Sequence, residues 1–277
     1  MIQYQQTLEK AIKHTGIGLH SGREVVITLK PADEDTGIVF VRTDLENKPE
    51  IHAIPENVSS TLRATTLTEN GAEVFTVEHL MSAFAALKID NCIVEMSSPE
   101  PPVADGSSKV FADLILEAGR KEQKIARKVY EVDKTFTVYD GDKYLVILPY
   151  DGYRVSFTSI NSHPLLGTQY LNFEVKEEEY LKEISPARTV AFTKELEMLE
   201  KLGLGRGGSL ENVVVFNDEK ILSVPRFENE LIRHKILDLI GDLYLLGPIK
   251  GHVIAVKTGH AANGDLAKQI QNYRKNK

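Results

Sequence analysis

The chain has 277 residues and an ordinary globular composition, 42% hydrophobic and 26% charged, which suffices for one large domain or two modest ones. Its formal net charge of −7 argues against a general binder of nucleic-acid backbones, but leaves room for a local basic pocket for one phosphorylated small molecule. The single cysteine, Cys92, excludes an internal disulfide and a cysteine-rich zinc site, so any metal must use His, Asp or Glu.

The amino-terminal residues 1–6 are polar and lack the apolar core of a signal peptide. No apolar run approaches the ~18 residues that a membrane-spanning helix needs. We therefore expect a cytoplasmic protein without a transmembrane segment, and we expect it to be a monomer.

The first half of the chain is predicted to run strand, turn, strand, helix, strand, helix. Leu29–Pro31 and Val39-Phe40 are the first two strands, because Pro, Asp and Gly separate two β-rich runs. A charged segment poor in large apolar residues, 120–128, is the candidate linker to the second half. Hydrophobic periodicity predicts the helix, the strand and the second helix at about residues 76–87, 91–96 and 107–121.

The second half repeats this order. Leu148-Pro149 and Val155–Phe157 correspond to the first pair of strands. The helix, strand and helix follow at about residues 229–246, 252–257 and 264–274. We interpret the repetition as an internal duplication that gives an α+β fold. It has two similar two-layer α/β sandwich domains, 1–126 and 127–277, with an active site in the groove between them.

One segment of the second half, residues 159–185, has no predicted counterpart in the first half. Its scattered large apolar side chains are followed by the acidic stretch Lys176–Glu179. Two interpretations stay open at this point. The segment is either a surface hairpin with a solvated helix or an insert that lines a binding passage.

Two interpretations also apply to Thr76-Val-Glu-His79. In the structural one, Thr76 caps the helix and Glu78 is favoured in the first turn by the helix dipole. In the functional one, Glu78 is a general base and His79 a zinc ligand, like the Glu and first His of the metalloprotease motif His-Glu-x-x-His. Position 82 is Ser, so a second metal ligand must come from elsewhere.

The predicted helix at 229–246 is apolar nearly all round, as buried helices are, yet it carries a polar row. His234, Asp238 and Asp242 recur every four residues and therefore stack on one face. Zinc enzymes use this four-residue spacing on helices, because both side chains then point at the same metal ion. With His79 as a third ligand, the fourth tetrahedral position of the metal stays open for water. The alternative is that His234 and Asp238 are a hydrogen-bonded pair in the core. For Asp242 two roles are open: it either supports a histidine from elsewhere or pairs with Lys or Arg.

Other motifs carry less information alone. His260 follows the last predicted strand and is expected to open a loop, where a groove-facing role and a structural role are both open. The glycine-rich stretch 202–209 lacks the Gly-Lys-Ser/Thr ending of a phosphate-binding loop and is predicted to be a flexible turn. Asp105-Gly-Ser107 predicts a turn followed by a helix cap.

Together and in this order, these pieces resemble the UDP-3-O-acyl-N-acetylglucosamine deacetylase family, zinc amidases that commit Gram-negative bacteria to lipid A biosynthesis. The motif of the long helix is the most specific of the matches, which span nearly the whole chain. The matching stretches are Gly16–Gly22, Thr76–Leu80, Asp105–Ser107, Ala187–Thr189, Gly203–Ser209, Asn229–Asp242 and Gly259–Asn263.

The resemblance implies one zinc ion per chain, held by His79, His234 and Asp238. It also implies that Glu78 is the general base that deprotonates the attacking water. A cation and a helix N-terminus both lower the pKa of a carboxylate, so a useful base at Glu78 requires burial to raise the pKa again.

The remaining roles are implied by the resemblance in the same way. His260 matches a protonated histidine that stabilises the oxyanion and protonates the leaving amine, with Asp242 as its electrostatic support. Thr189 matches a hydroxyl that helps to hold the oxyanion, and Lys235 matches a lysine that binds the phosphate end of the substrate. Residues 159–185 match the segment that forms the passage for the acyl chain.

The chain departs from the family pattern at three positions near these motifs. The family pattern Asp-Thr-x-Leu-x-Thr corresponds to Ser60–Thr65 here, so Ser60 replaces an acid and Arg63 an apolar residue. Val190 stands where family members often have Phe after Ala-Arg-Thr. These changes leave the implied zinc ligands intact and bear on the shape of the substrate groove.

The resulting prediction is a zinc-dependent amidohydrolase that converts UDP-3-O-acyl-N-acetylglucosamine into UDP-3-O-acyl-glucosamine and acetate. Its partner is this acylated sugar nucleotide, with no nucleic acid. The alternatives are a zinc deacetylase for another N-acetylated sugar nucleotide and a non-catalytic protein that binds a sugar nucleotide.

Overall fold

The computed structural model describes residues 3–277. These residues contain six α-helices and eighteen β-strands, which confirms the predicted α+β class. Among the described residues, no helix is both long and apolar enough to cross a membrane.

The first half of the chain is built on a five-stranded sheet. Its helices are α1 (Glu78–Leu87) and α2 (Lys109–Ala118), and both share one apolar core with this sheet. The strands up to this point are β1 (Tyr4–Leu8), β2 (Ile12–Ile17), β3 (Glu24–Pro31), β4 (Ile38–Arg42), β5 (Glu50–His52), β6 (Val58–Ser60), β7 (Thr66–Glu69), β8 (Ala72–Phe75) and β9 (Cys92–Met96). The five-stranded sheet has the order β2-β3-β9-β4-β5, and β6, β7 and β8 form a small antiparallel sheet of their own.

The second half is built on a larger sheet. Its helices are α3 (Glu177–Glu183), α4 (Leu196–Lys201), α5 (Glu230–Leu243) and α6 (His260–Lys275). Strand β10 (Arg120–Ala126) pairs with β1 of the first half. The strands of the second half are β11 (Tyr130–Glu131), β12 (Phe136–Asp140), β13 (Lys143–Leu148), β14 (Tyr153–Ile160), β15 (Thr168–Glu174), β16 (Val190–Phe192), β17 (Val214–Phe216) and β18 (Ile249–Val256). The main path of the large sheet is β12-β13-β18-β14-β15, with β11 alongside β18, and α5 and α6 share its apolar core.

The two main sheets have the same topology. In the first, β9 lies between β3, to which it is antiparallel, and β4, to which it is parallel. In the second, β18 lies in the same way between β13 and β14. The outer pairs β2–β3, β4–β5, β12–β13 and β14–β15 are all antiparallel hairpins. This agreement is compatible with the predicted duplication, while the domain boundaries stay a prediction.

Two sequence-based expectations about connecting segments need correction. The candidate linker is largely a strand, because Arg120–Ala126 pairs antiparallel with Tyr4–Leu8 and thereby acquires backbone partners that its composition does not reveal. The segment 159–185 is not wholly an insertion, because Thr168–Glu174 occupies in the second sheet the place of β5 in the first. Its helix, α3, is anchored by the buried side chain of Tyr180.

Two helix starts also differ from the prediction. Thr76 does not cap α1: its backbone has a left-handed φ of 58°, its hydroxyl donates to Glu100, and the residue before the helix is Val77. The last helix begins at His260, four residues before the predicted start, so His260 lies in its first turn and not in a loop. Gly264 suggested a later start, but a glycine is tolerated inside a helix that packs well.

The two halves make a close backbone contact where α1 crosses α5. The contact is at Gly241, where an added Cβ would lie 2.0 Å from the backbone oxygen of Glu78. Only a glycine allows this approach, because any other residue would press its side chain into the backbone of the opposite helix. The crossing therefore fixes where the first turn of α1 lies relative to the last turn of α5.

We expect Gly241→Ala to destabilise the protein by about 1–3 kcal/mol, the usual cost of overpacking a core. The methyl group has to push α1 away from α5. Thermal or denaturant unfolding measures the effect. Gly264→Ala is the matched control, because its Cβ would meet only ordinary contacts in a helix, and it should be neutral or slightly stabilising. Equal stability of Gly241→Ala and wild type would contradict the proposed constraint.

Candidate metal centre and active site

Three helices bring the candidate residues together. Glu78 and His79 open α1, His260 opens α6, and the polar row lies on the central turns of α5. Because α1 and α5 cross at Gly241, the start of α1 faces the buried polar row directly. Residues from both halves of the chain therefore form one site.

His79, His234 and Asp238 form a buried cluster whose ligand atoms all lie within 4.8 Å of one another. The Nε2 atoms of His79 and His234 are 3.7 Å and 3.3 Å from Oδ1 of Asp238. The two imidazole rings stand edge to face with their centroids 5.0 Å apart. The structure thus brings together the three residues that the sequence suggested as metal ligands.

The donor atoms of this cluster fit a metal ion. Nδ1 of His234 lies 3.1 Å from the carbonyl oxygen of Ala187, which can only accept, so the neutral ring carries its proton on Nδ1 and leaves Nε2 free as a donor to metal. Oδ1 of Asp238 is buried and has no hydrogen-bond partner. A buried carboxylate oxygen without a partner is costly, and a cation between the three groups would satisfy it.

The protonation states of His79, His234 and Asp238 also suit a metal ion. Burial, followed by repulsion from His234, lowers the pKa of His79 to about 3. Burial likewise lowers the pKa of His234. Burial disfavours the ionised form of Asp238 and so raises its pKa. The interactions with His234 and Lys235 outweigh this effect and hold the pKa of the carboxyl well below its usual range. Two neutral imidazoles and an ionised carboxylate are the forms in which these groups bind metals.

Glu78 is a buried carboxyl group beside the cluster. Its Oε2 accepts a hydrogen bond from the backbone N–H of Thr65 at 3.1 Å, and its Oε1 lies 3.9 Å from Nε2 of His260. Burial raises its pKa to about 8, with Asp242 and Asp238 adding to the effect and His260 opposing it. Desolvation therefore outweighs the effect of His260, which is the direction that an effective base at this position requires.

Asp242 holds His260. Its Oδ2 accepts hydrogen bonds of 2.8 Å from Nδ1 of His260 and from the amide of Asn263, and its Oδ1 accepts one of 2.6 Å from the hydroxyl of Thr65. Burial works against a charge on His260, but Asp242, followed by Glu78, raises its pKa to about 10. The ring is therefore a cation at neutral pH, with Nε2 directed towards Glu78.

Lys235 and Thr189 line the same cavity as the cluster. The ammonium of Lys235 lies 2.9 Å from Oδ2 of Asp238, the oxygen that faces away from the two histidines. Thr189 is held through its backbone, which accepts from Val214 and donates to Gly106. Both residues are therefore at the site, and their predicted roles towards a substrate stay predictions.

Two cavities meet at this site. One, of about 500 Å³, reaches Glu78, His79 and His260 and has a largely apolar wall that includes Leu196, Leu199, Leu210, Val213 and Leu222. The other, of about 270 Å³, reaches His234 and Lys235 from another side and is lined by Lys257, Asn161 and Thr258. Six residues line both: Arg63, Thr189, Val190, Glu195, His234 and Lys235.

The sequence of the chain was compared with known proteins. Residues 5–272 match the family model described as LpxC: UDP-3-O-acyl N-acetylglycosamine deacetylase. The chain belongs to this family. Relatives named UDP-3-O-acyl-N-acetylglucosamine deacetylase include proteins of Marinobacter nauticus (44% identical), Xylella fastidiosa strain Temecula1 (46%) and Myxococcus xanthus (45%). Each alignment covers 96% of this chain and 90%, 89% and 86% of the respective relative.

Membership of this deacetylase family agrees with the resemblance inferred from the motifs, but the structure adds residues that motif reading missed. Thr65 binds both Glu78 and Asp242, so it ties the base to the support of His260. Glu100 is buried and accepts from the backbone N–H groups of His20 and Ser21 as well as from Thr76. Thr65 ends the Ser60–Thr65 motif and was recognisable from it, whereas nothing local marks Glu100.

Two of the three departures from the family pattern reach the site. Arg63 and Val190 line both cavities, whereas Ser60 is exposed and its hydroxyl accepts from the backbone of Leu62. The backbone of Arg63 has a left-handed φ of 65°. Two of these three departures therefore lie at the candidate site.

We expect Asp242→Asn to lower the pKa of His260 towards its usual range, because the hydrogen-bonded negative charge is the main influence that raises it. The protonated form of the ring then disappears at lower pH. NMR titration of the His260 ring measures the change directly. Asp265→Asn removes an exposed charge from the same helix and should leave the titration unchanged. An unaltered pKa in Asp242→Asn would show that Asp242 does not hold the charge.

Proposed function

We propose that the protein hydrolyses the acetamide of UDP-3-O-acyl-N-acetylglucosamine and releases acetate, using one zinc ion. The observation that carries the proposal is a metal-binding cluster that has a carboxyl group of raised pKa, Glu78, and a cationic histidine, His260, beside it. Family membership supports the substrate class. As predicted from the sequence, we propose a monomer acting in the cytoplasm.

His79, His234 and Asp238 would hold the zinc ion, which accounts for the unpartnered oxygen of Asp238. When bound there, zinc polarises a carbonyl group and makes water more acidic. Two imidazoles and one carboxylate suit zinc better than magnesium, which prefers oxygen ligands.

The residues of the chain carry the proton transfers. Glu78 takes a proton from the water that attacks the acetamide carbon. His260 is protonated through its pairing with Asp242 and stabilises the oxyanion that develops. It then donates its Nε2 proton to the leaving nitrogen. The C–N bond breaks, and acetate and a free amine result. The hydroxyl of Thr189 is proposed as a second donor to the oxyanion.

The apolar cavity is proposed to receive the acyl chain. Its apolar wall comes mostly from residues 190–222, with Leu19 from the first half, and none of residues 159–185 lines it. We therefore assign the acyl passage to this later segment, which includes the exposed side chains of Leu196 and Leu210 at its outer end. A volume of about 500 Å³ matches the size of ordinary ligand pockets.

The polar cavity is proposed to receive the nucleotide. Lys235 and Lys257 line it, and the hydroxyl of Thr258 is buried there without a partner in the described part of the chain. Lys235 is held by Asp238, but its flexible stem allows the ammonium to reach a phosphate. This cavity offers the local basic pocket that the acidic chain requires for an anionic ligand.

We expect the purified protein to contain about one equivalent of zinc and His234→Ala to lose it, because removing one of three protein ligands breaks the site. Metal analysis by mass spectrometry measures both. His14→Ala, a histidine on β2 outside the cluster, should retain the metal. Folded wild-type protein that contains no zinc and binds none on addition would refute the proposed centre.

Glu78→Gln should keep zinc and substrate binding but reduce kcat by about 10²–10⁴-fold, because it removes the base and leaves the ligands in place. Acetate release measures the rate. Glu73→Gln, an exposed position on β8, is the control and should be as active as wild type. A Glu78→Gln enzyme with normal turnover would assign the proton transfer to another group.

Substrate comparison separates the proposal from its closest alternative. With the acylated nucleotide as substrate, kcat/KM should exceed that for UDP-N-acetylglucosamine, because only the former fills the apolar cavity. Equal values for the two substrates would favour a deacetylase for unacylated sugar nucleotides.

A further inference from the structure

One ion pair spans the point where the two cavities meet. The guanidinium nitrogens of Arg63 lie 3.3 Å and 3.2 Å from the two carboxylate oxygens of Glu195. Arg63 belongs to the loop between β6 and β7 in the first half, and Glu195 follows β16 in the second half. Because both side chains line both cavities, the pair crosses the junction that a ligand reaching from one to the other has to pass.

The pair is weakly held. The side chains of Arg63 and Glu195 are 34% and 28% exposed, and their hydrogen bonds are longer than those of tight guanidinium–carboxylate pairs. Partly exposed pairs of this kind contribute little to stability. A ligand that offers a better acceptor can therefore separate them at small cost.

The surroundings favour an anionic ligand on the side of the polar cavity. Arg63 joins Lys235 and Lys257 in its lining, whereas Glu195 is the only carboxylate residue among the described residues that line it. The other two cations are bound to carboxylates as well, Lys235 to Asp238 and Lys257 to Asp142. Without a ligand, each of the three cations is thus balanced by an acidic group.

We propose that Arg63 is a specificity-determining residue that exchanges Glu195 for the diphosphate of the substrate. The exchange opens the junction so that the substrate can occupy both cavities. A guanidinium binds a phosphate through two parallel hydrogen bonds, which gives Arg63 a better partner than Glu195. This inference rests on the proposed function, because that function supplies the diphosphate.

The proposal predicts opposite effects for the two partners. Arg63→Met keeps the length of the side chain but removes the phosphate ligand, so it should raise KM for the acylated nucleotide about tenfold. Glu195→Gln releases Arg63 from its competitor, so it should lower KM two- to fivefold. The double variant should behave like Arg63→Met, because Glu195 acts only through Arg63.

The experiment measures steady-state kinetics and, separately, the affinity for UDP by calorimetry. The dissociation constant of UDP should shift in the same directions as KM, while zinc content and melting temperature stay unchanged. Glu197→Gln is the matched control, because Glu197 lies two residues further on, pairs with Lys201 and lines neither cavity. It should have no effect on either measurement.

The outcomes separate this inference from the proposed function. Shifts in opposite directions for Arg63→Met and Glu195→Gln support the exchange. Shifts in the same direction, or none, in an active wild-type enzyme overturn it and assign the pair a purely structural role. An inactive wild-type protein whose UDP affinity still shifts in opposite directions overturns the deacetylase function and leaves Arg63 as a diphosphate ligand.

Discussion

The close crossing of α1 and α5 determines the geometry of the site. Gly241 lies directly against the backbone of Glu78, so the position of α1 cannot change without displacing α5. The residue that follows Glu78 is a candidate ligand, and the residue that follows Gly241 supports His260. This backbone contact therefore holds the base close to the metal cluster, and Asp242 holds the cationic histidine beside them, although these groups come from opposite halves of the chain.

The charged side chains buried around this crossing are paired mainly with one another. Lys235 and His260 are cations, and Asp238 and Asp242 face them as anions, each with defined hydrogen bonds. Burying charges is costly unless they are paired in this way. The one atom left without a partner among these groups is Oδ1 of Asp238, at the centre of the cluster. Among the four charged side chains, the buried atom without a partner thus lies where a cation would bind.

Some elements of the fold and the site could be predicted from the sequence and others could not, for physical reasons. Residues spaced four apart lie on the same face of a helix. The polar row on the otherwise apolar helix α5 could therefore be predicted from the sequence. The predicted linker at 120–128 is largely a strand, because pairing with β1 depends on distant residues, which composition does not encode. Thr76 was misread because its left-handed backbone is set by the contact with Glu100, 24 residues away in the chain.

The hydrogen bond between Thr65 and Asp242 joins residues 177 positions apart in the sequence. Contacts of such long range form only after the chain has closed a large loop, so regions that depend on them assemble slowly and late. Each sheet, in contrast, is complete within its own half of the chain. The two main sheets can therefore form from contacts within each half, whereas the site requires both halves to be in place.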